Sequence, residues 1–331
     1  MKKKVLISVF STLGGLILIL VFVFASFFIA EAQRRENFVF ADKAMEEKGN
    51  RIHFLNTGGS DAILLESNGK FALIDCAEDS DNPRGFEDLE FKGYEDLVVD
   101  YVKQVAGNDE GKVYLEFILG THSHSDHIGG FDTLILDEDI EIGKAYLKEY
   151  DESKIMKKEV TKWDNKEVYE QMVNACKTRG VEVISDLPED EFYLGEMKIK
   201  FFNTDYTDKT NIGENENAVG TLVEVDGQKA FLAGDINNMI GTESDIKDEV
   251  GKVDLLKAGH HGYILSSTPS FLYTLRPELV IVTNDTSVSN WRPRMSMTAV
   301  GSTILGTVNY KGIIVDFKDG KMNVYKDIHS A

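Results

Sequence analysis

The sequence predicts an α+β protein made of two mixed β-sheets with helices on their outer faces, preceded by one apolar N-terminal segment. Three observations lead there. Tight-turn dipeptides separate apolar runs at three places, helical and strand periodicities interleave from about Arg51 to the end, and the first thirty residues differ in composition from all that follows.

The N-terminal segment comes first. Lys2, Lys3 and Lys4 precede an uncharged run from Val5 to Ala30, which as a helix would be about 39 Å long at roughly 1.5 Å per residue. That exceeds the roughly 30 Å hydrocarbon core of a bilayer, so a tilted transmembrane helix is expected. The three lysines outnumber Arg34 and Arg35 on the far side, which keeps the start of the chain cytoplasmic and puts everything after about Glu36 outside the cell. Ala30-Glu31-Ala32 has the form of a signal-peptidase site, and cleavage after Ala32 would give a secreted protein instead. The apolar run is long for a signal segment, which favours an uncleaved anchor in the cell membrane. No cysteine lies near its end, so lipoprotein anchoring is excluded.

Residues 1–35 are therefore read as the anchor, 36–50 as a polar stalk, and 51–331 as the body. Within the body, Asn68-Gly69, Asp226-Gly227 and Asp319-Gly320 each join two apolar runs and predict β-hairpins, because these pairs suit turns with positive φ. Further strands are expected at Leu115 to Leu119, Met197 to Phe202, Val253 to Lys257 and Leu279 to Thr283. Helical spacing of apolar residues occurs at Tyr94 to Val105 and Lys166 to Lys177. No stretch rich in Pro, Gly or Ser divides this body, and so many hairpins mingled with helices are best accommodated as layered sheets with helices outside.

Charge and cysteine content narrow the function. The chain has 36 basic and 56 acidic residues, a net charge of -20, with no long single-sign block. A general polyanion-binding surface is not expected, since nucleic-acid binders present a basic stripe. Cys76 and Cys176 are the only cysteines. They are read as two buried small hydrophobes rather than a disulfide framework.

The chemistry centres on "THSHSDHIGG", where His122, His124, Asp126 and His127 follow a buried strand. Neutral imidazoles and carboxylates are zinc ligands, and a catalytic zinc keeps one position open for water. A histidine-rich surface loop is the plain alternative, but the order His-x-His-x-Asp-His directly after a strand points to metal. Two later segments also end strands in ligand types: "AFLAGD" at Asp235, and "VDLLKAGHHG" at His260 and His261. His53, within a probable strand, is read as structural, and His329 as part of a frayed tail. Tyr263 and Asn284 follow strand ends and are candidates for substrate contact. Asn203 to Asn217 is a polar loop near the same edge.

With these residues in place the chain resembles the metallo-β-lactamase superfamily, and within it the hydrolase domain attached to the competence DNA-uptake channel. The matching stretches are "FLNTGGSDAILLESNGKFALIDC", "THSHSDHIGG", "FLAGD", "LKAGHHG" and "LRPELVIVT", in the family's order over about residues 50 to 326. The resemblance implies an αββα sandwich with two divalent metal ions at one edge, Zn2+ or alternatively Mn2+. It implies that His122 and His124 hold the first metal and Asp126 and His127 the second. Asp235 would bridge them, one of His260 and His261 would complete the second site, and Asp75 would support it from behind. Asp126, Asp235 and His261 are the residues it implies for proton transfer. Two positions depart from the family. No histidine lies between His127 and His260, where many members have another ligand, and Asn217 falls near the expected place; Asn56 stands where an aspartate is frequent.

The implied activity is hydrolysis of a phosphodiester from nucleic acid, nucleotide or wall polymer by a metal-activated water. Hydrolysis of a lactam, lactone or thioester is the rival within enzymology. A noncatalytic binding or sensory ectodomain is the rival from another class, motivated by the missing histidine. Apart from the membrane and the substrate, nothing in the sequence singles out a protein partner.

Overall fold

The computed structural model describes residues 14–22, 25, 38–41, 48–286 and 290–328. Two mixed sheets form its centre. The first runs in the order Phe38–Phe40, Lys321–Lys326, Ile313–Lys318, Asn50–Phe54, Ala62–Ser67, Lys70–Cys76, Val113–Leu119, Ala145–Tyr146, Val183–Ile184, with Ile140–Ile142 also paired to Val113–Leu119. The second runs Thr303–Gly306, Leu279–Val282, Leu255–Lys257, Gln228–Leu232, Gly220–Val225, Met197–Phe202, Phe192–Leu194.

The three hairpins form as the turn chemistry dictates. Their turn residues all take left-handed backbone: Asn68 and Gly69 at φ 50° and 88°, Asp226 and Gly227 at 52° and 75°, Asp319 and Gly320 at 55° and 67°. Such turns match the twist of the strands they join. The expected strand Met197–Phe202 and the helices Glu95–Ala106 and Asn165–Arg179 also form, with ends displaced by at most two residues.

Side-chain alternation along each strand sorts the apolar residues into three layers. Ile63 and Leu65 face the second sheet, where they join Phe117, Leu119, Ile199, Phe201, Val223, Leu232 and Ile281 in the central core. Ala62 and Leu64 point the other way, onto Val98, Val102, Leu134, Val168 and Met172 of the outer helices. The second sheet is covered in the same manner, with Phe231, Leu256 and Val280 packed against Phe271, Leu275 and Met297. The order of layers is thus helix, sheet, sheet, helix, as the sequence patterning implied. Cys76 and Cys176 are both free and buried, and they belong to the outer apolar layer.

Two expectations about the N-terminal region need restating. Residues 14–22 are helical, but most of the 1–35 segment lies outside the described residues, and among those described no helix is long and apolar enough to cross a membrane. The stalk reading of 36–50 is corrected in part. Phe38–Phe40 is a strand, paired in parallel with Lys321–Lys326, because Phe38 packs on the central core and Phe40 meets the Tyr310 ring and the Lys326 ammonium. His329 lies outside the described residues.

A buried polar group ties the first sheet together. Arg51 donates to both carboxylate oxygens of Glu66 at 2.9 and 3.1 Å, and His53 sits between Glu66 at 3.1 Å and the Tyr101 hydroxyl at 2.8 Å. His53 is therefore structural, as read. Burial lowers its pKa below 6.5 despite the opposing pull of Glu66. Two outcomes follow. Glu66→Leu removes one of two carboxylates around the Arg51 guanidinium, Asp316 remaining 3.4 Å from Nε, and should lower stability by about 1.5–3 kcal/mol in urea unfolding. When the pH falls through about 6.5 the unfolded chain protonates His53 before the folded one does, so stability should decrease across that window. His53→Gln should flatten that part of the profile.

Candidate metal centre

Five strand ends deliver the site. Lys70–Cys76 carries Asp75, and Val113–Leu119 leads into His122, His124, Asp126 and His127. Gln228–Leu232 precedes Asp235, Leu255–Lys257 precedes His260 and His261, and Leu279–Val282 precedes Thr283. The last three are parallel neighbours, so their ends meet on one edge. After the histidine loop the chain must turn at once into a helix beneath the strand end. Gly130 permits this, since a Cβ there would lie 2.4 Å from the Cys76 carbonyl oxygen.

The predicted ligands come together in two groups that share one carboxylate. His122, His124 and Asp235 offer atoms within 4.8 Å of one another, as do Asp61, His127, Asp235 and His261. Asp126 adjoins the second group, its Oδ2 3.3 Å from His261 Nε2. All but Asp126 are almost completely buried.

Hydrogen bonding at the far ring nitrogens sets what each imidazole presents. His127 Nδ1 donates to Asp75 Oδ2 at 2.7 Å, and His261 Nδ1 to the Thr283 carbonyl oxygen at 3.0 Å. In its neutral form each ring would then turn an Nε2 lone pair inward, and these two atoms are 3.2 Å apart. Asp235 Oδ1 lies 3.2 and 3.3 Å from them and has no hydrogen-bond partner.

The first group follows the same logic. The Thr121 hydroxyl donates to Asp75 at 2.9 Å and accepts from His122 Nδ1 at 3.1 Å, while His124 Nε2 donates to Glu159 Oε1 at 2.9 Å. His122 Nε2 and His124 Nδ1 are then two acceptors 3.0 Å apart. Buried acceptors facing one another without a donor are unfavourable unless a proton or cation lies between them. The donor set of imidazole and carboxylate groups, each oriented from behind by a hydrogen bond, fits divalent metal ions.

Electrostatics agree. Burial holds His122 well below its usual pKa, assisted by His127 and His124. His261 behaves oppositely: burial disfavours its charged form, yet Asp235 and Asp61 raise it to about 9. With several carboxylates enclosed, the region calls for positive charge.

Some of that charge is built in. Lys257 is fully buried, in ion-pair contact with Asp61, and donates to the Gly234 carbonyl oxygen at 2.9 Å. Burial opposes ionisation of Asp61, but this ammonium holds its carboxyl below the usual range. Asp61 also accepts from the Thr283 hydroxyl.

The pair at 260 and 261 divides. His261 enters the second group, whereas His260 is partly exposed, with Nε2 3.9 Å from Asp235 Oδ2 and 3.1 Å from Asn215 Nδ2. Both take left-handed backbone at φ 47°, which turns the two rings to different sides. Asn217 does not reach the ligands. Its side chain is buried between the Thr207 amide at 3.0 Å and Glu214 at 3.0 Å. Asn215 occupies the gap instead, its Oδ1 3.0 Å from His122 Nε2. Asn284 is buried, and its side chain donates to the His261 carbonyl oxygen rather than facing open space. Asn56 is also nearly buried and lies outside both ligand groups.

Sequence reasoning missed Asp61, Asn215, Glu159 and Lys257. Lys257 carried a signal, an ionisable residue closing an apolar strand two positions before a ligand turn. Asp61 and Glu159 carried none.

Two sheets packed face to face carry two ligand groups joined by one carboxylate at their common edge, the arrangement that the resemblance implied. Residues 96–260 match the family model described as beta-lactamase superfamily domain. No curated protein matches the sequence. Among solved structures, the metallo-beta-lactamase fold protein YhfI from Bacillus subtilis is similar over 77% of this chain and 95% of its own, at 11% identity and a TM-score of 0.47. Zn2+-bound PqqB from Methylobacterium extorquens is similar over 77% and 87%, at 15% identity and 0.43. CmlA, a diiron beta-hydroxylase from Streptomyces venezuelae, is similar over 79% of this chain and 53% of its own, at 12% identity and 0.43.

The geometry makes two measurable statements. Asn215→Asp replaces a neutral oxygen with a charged one beside His122 and should tighten metal binding at the first group by about tenfold, read by competition with a chromogenic chelator. Lys257→Met strands the Asp61 carboxylate and should destabilise the metal-free protein by about 3–5 kcal/mol in denaturant titration.

Proposed function

We propose that the protein is a membrane-anchored, extracellular, metal-dependent hydrolase of phosphodiesters. The observation that carries the catalytic part is the sharing of Asp235 between the two ligand groups, since two-metal hydrolases place both ions against one substrate. Two divalent cations, with Zn2+ suited to the imidazole-rich set and Mn2+ the alternative, would lower the pKa of a shared water and brace charge developing on an ester.

The chain's own residues supply the rest. Asp235 belongs to both ligand groups, with Oδ1 3.2 Å from His127 Nε2 and Oδ2 3.9 Å from His260 Nε2. Asp126 is the ligand candidate that reaches the solvent-facing cleft, with 27% of its side chain exposed. It is placed to accept a proton at Oδ2, which lies 3.3 Å from His261 Nε2. Asp75 and Glu159 hold His127 and His124 in the tautomers that face inward. The cleft above them, about 760 Å³ in volume, accommodates a small diester or a short segment of a polymer.

Resemblance to the hydrolase domain of the DNA-uptake channel favours a phosphodiester over a lactam, lactone or thioester. The oxygen of Asn215 beside His122 favours an enzyme over a purely binding ectodomain, because it fills the place left by the missing histidine. The uncharged run Val5 to Ala30 behind three lysines supports the anchor and its orientation.

Turnover of bis(p-nitrophenyl) phosphate should be supported by Zn2+ or Mn2+ and exceed that of a chromogenic β-lactam. Asp235→Ala and His124→Ala should each reduce it to the metal-free background while leaving export intact. Preferential cleavage of the lactam would overturn the substrate assignment. Cell fractionation should place the intact chain in the membrane with its body open to external protease, and a released chain beginning after Ala32 would overturn the anchor.

A further inference from the structure

We infer that Lys158, Lys162 and Trp163 form a recognition wall beside the metal centre that selects phosphodiesters carrying a planar ring and a second phosphate. The inference rests on the phosphodiesterase reading above and narrows it.

The wall belongs to the cleft into which Asp126 opens. Lys158 and Lys162 are four residues apart on the helix Lys157–Lys162, hence on one face of it. Trp163 follows immediately. Its indole lies against the His124 ring, with centroids 5.1 Å apart, and 46% of the residue is exposed. The indole therefore joins a candidate ligand on one side to the open cleft. Phe91 and Tyr263, also about half exposed, line the same space.

Surface lysines of this chain are of two kinds, those paired with a carboxylate and those without such a pair, and the cleft gathers the second kind. Lys70, Lys112, Lys198, Lys200 and Lys229 each pair with a carboxylate within 4.0 Å. Among the described residues Lys158 and Lys162 form no ion pair, although Glu78, Asp88 and Asp285 line the cleft with them. Lys92, on the facing loop, lies over the Tyr94 ring at 4.8 Å and likewise joins no carboxylate. In a chain of net charge -20, lysines that leave nearby acids unpaired around a cleft are available to an anionic ligand.

Ring and charge together specify more than either alone. A simple diester would satisfy the metal centre and leave the lysines unused. A polyol phosphate chain could meet the lysines but offers nothing to stack on the indole. A nucleotide brings both, its base stacked on an aromatic side chain and its further phosphate beside an ammonium.

The test uses the full chain in detergent with Zn2+. Three chromogenic diesters are compared: bis(p-nitrophenyl) phosphate, thymidine 5′-(p-nitrophenyl phosphate), and the same nucleoside diester bearing a 3′-phosphate. The kcat/KM advantage conferred by the 3′-phosphate should fall about tenfold in Lys158→Gln/Lys162→Gln. Binding is read separately with thymidine 3′,5′-bisphosphate, which contains no diester to cleave. Trp291→Phe leaves Trp163 as the sole indole, and its fluorescence should be quenched by the bisphosphate but not by glycerol phosphate. Apparent affinity should weaken about tenfold with the double lysine substitution, with metal content unchanged.

If no phosphodiester is turned over by the parent chain, the proposed function fails. If bis(p-nitrophenyl) phosphate is cleaved but the 3′-phosphate advantage and the quenching are indifferent to the lysines, the wall is wrong. Equal binding of glycerol phosphate without quenching would overturn the ring component.

Discussion

The structure depends on confining like-charged and lone-pair-bearing groups at one water-poor edge between two sheets. Asp61, Asp75, Asp126 and Asp235 meet His122, His124, His127 and His261 there, nearly all buried. Such a concentration is unfavourable in isolation, because each desolvated charge needs a partner. The fold meets the requirement in layers. Lys257 neutralises Asp61 from beneath, Asp75 and the Thr283 carbonyl oxygen fix the outer nitrogens of His127 and His261, and the inward atoms are left for cations. Parallel pairing of the strands before Asp235, His261 and Thr283 gives the arrangement its stiffness.

Much of this was legible in the sequence because it was local. Asn68-Gly69, Asp226-Gly227 and Asp319-Gly320 encode their turns in two residues, and the alternation in "AILLES" encodes both faces of a strand. The cluster from His122 to His127 was legible because a metal site needs several ligand types at short spacing. What could not be read depended on side-chain direction or on contacts between distant segments. Asn215 and Asn217 lie in one 3-10 turn, Glu214–Asn217, where successive side chains rotate by about 120°. Which of the two faces His122 is therefore decided by packing, with Tyr206 and Glu214 holding Asn217 away from the ligands. Asp61 is likewise an ordinary residue before a strand until the amide that follows Ser60 bonds the Asp126 carbonyl oxygen at 3.0 Å and brings its carboxylate under the site.

One short helix connects the buried chemistry with the open cleft. On Lys157–Lys162, Glu159 turns inward to His124, the Glu214 amide and Asn165, while Lys158 and Lys162 line the cleft. A shift of this helix would move His124 and the cleft wall together. Geometry at the first ligand group and the shape of the cleft are thus a single mechanical variable, and residues far from the histidine motif help to set both.

The Lys257–Asp61 contact bears on the order of events in the life of the chain. A domain whose only source of internal cations was the surrounding medium would have to capture them while still collapsing. Here an ammonium carried by the polypeptide itself travels with the strand and is enclosed as the sheets close. One of the enclosed carboxylates is thus neutralised by the polypeptide itself, and only the remaining groups call for charge from outside.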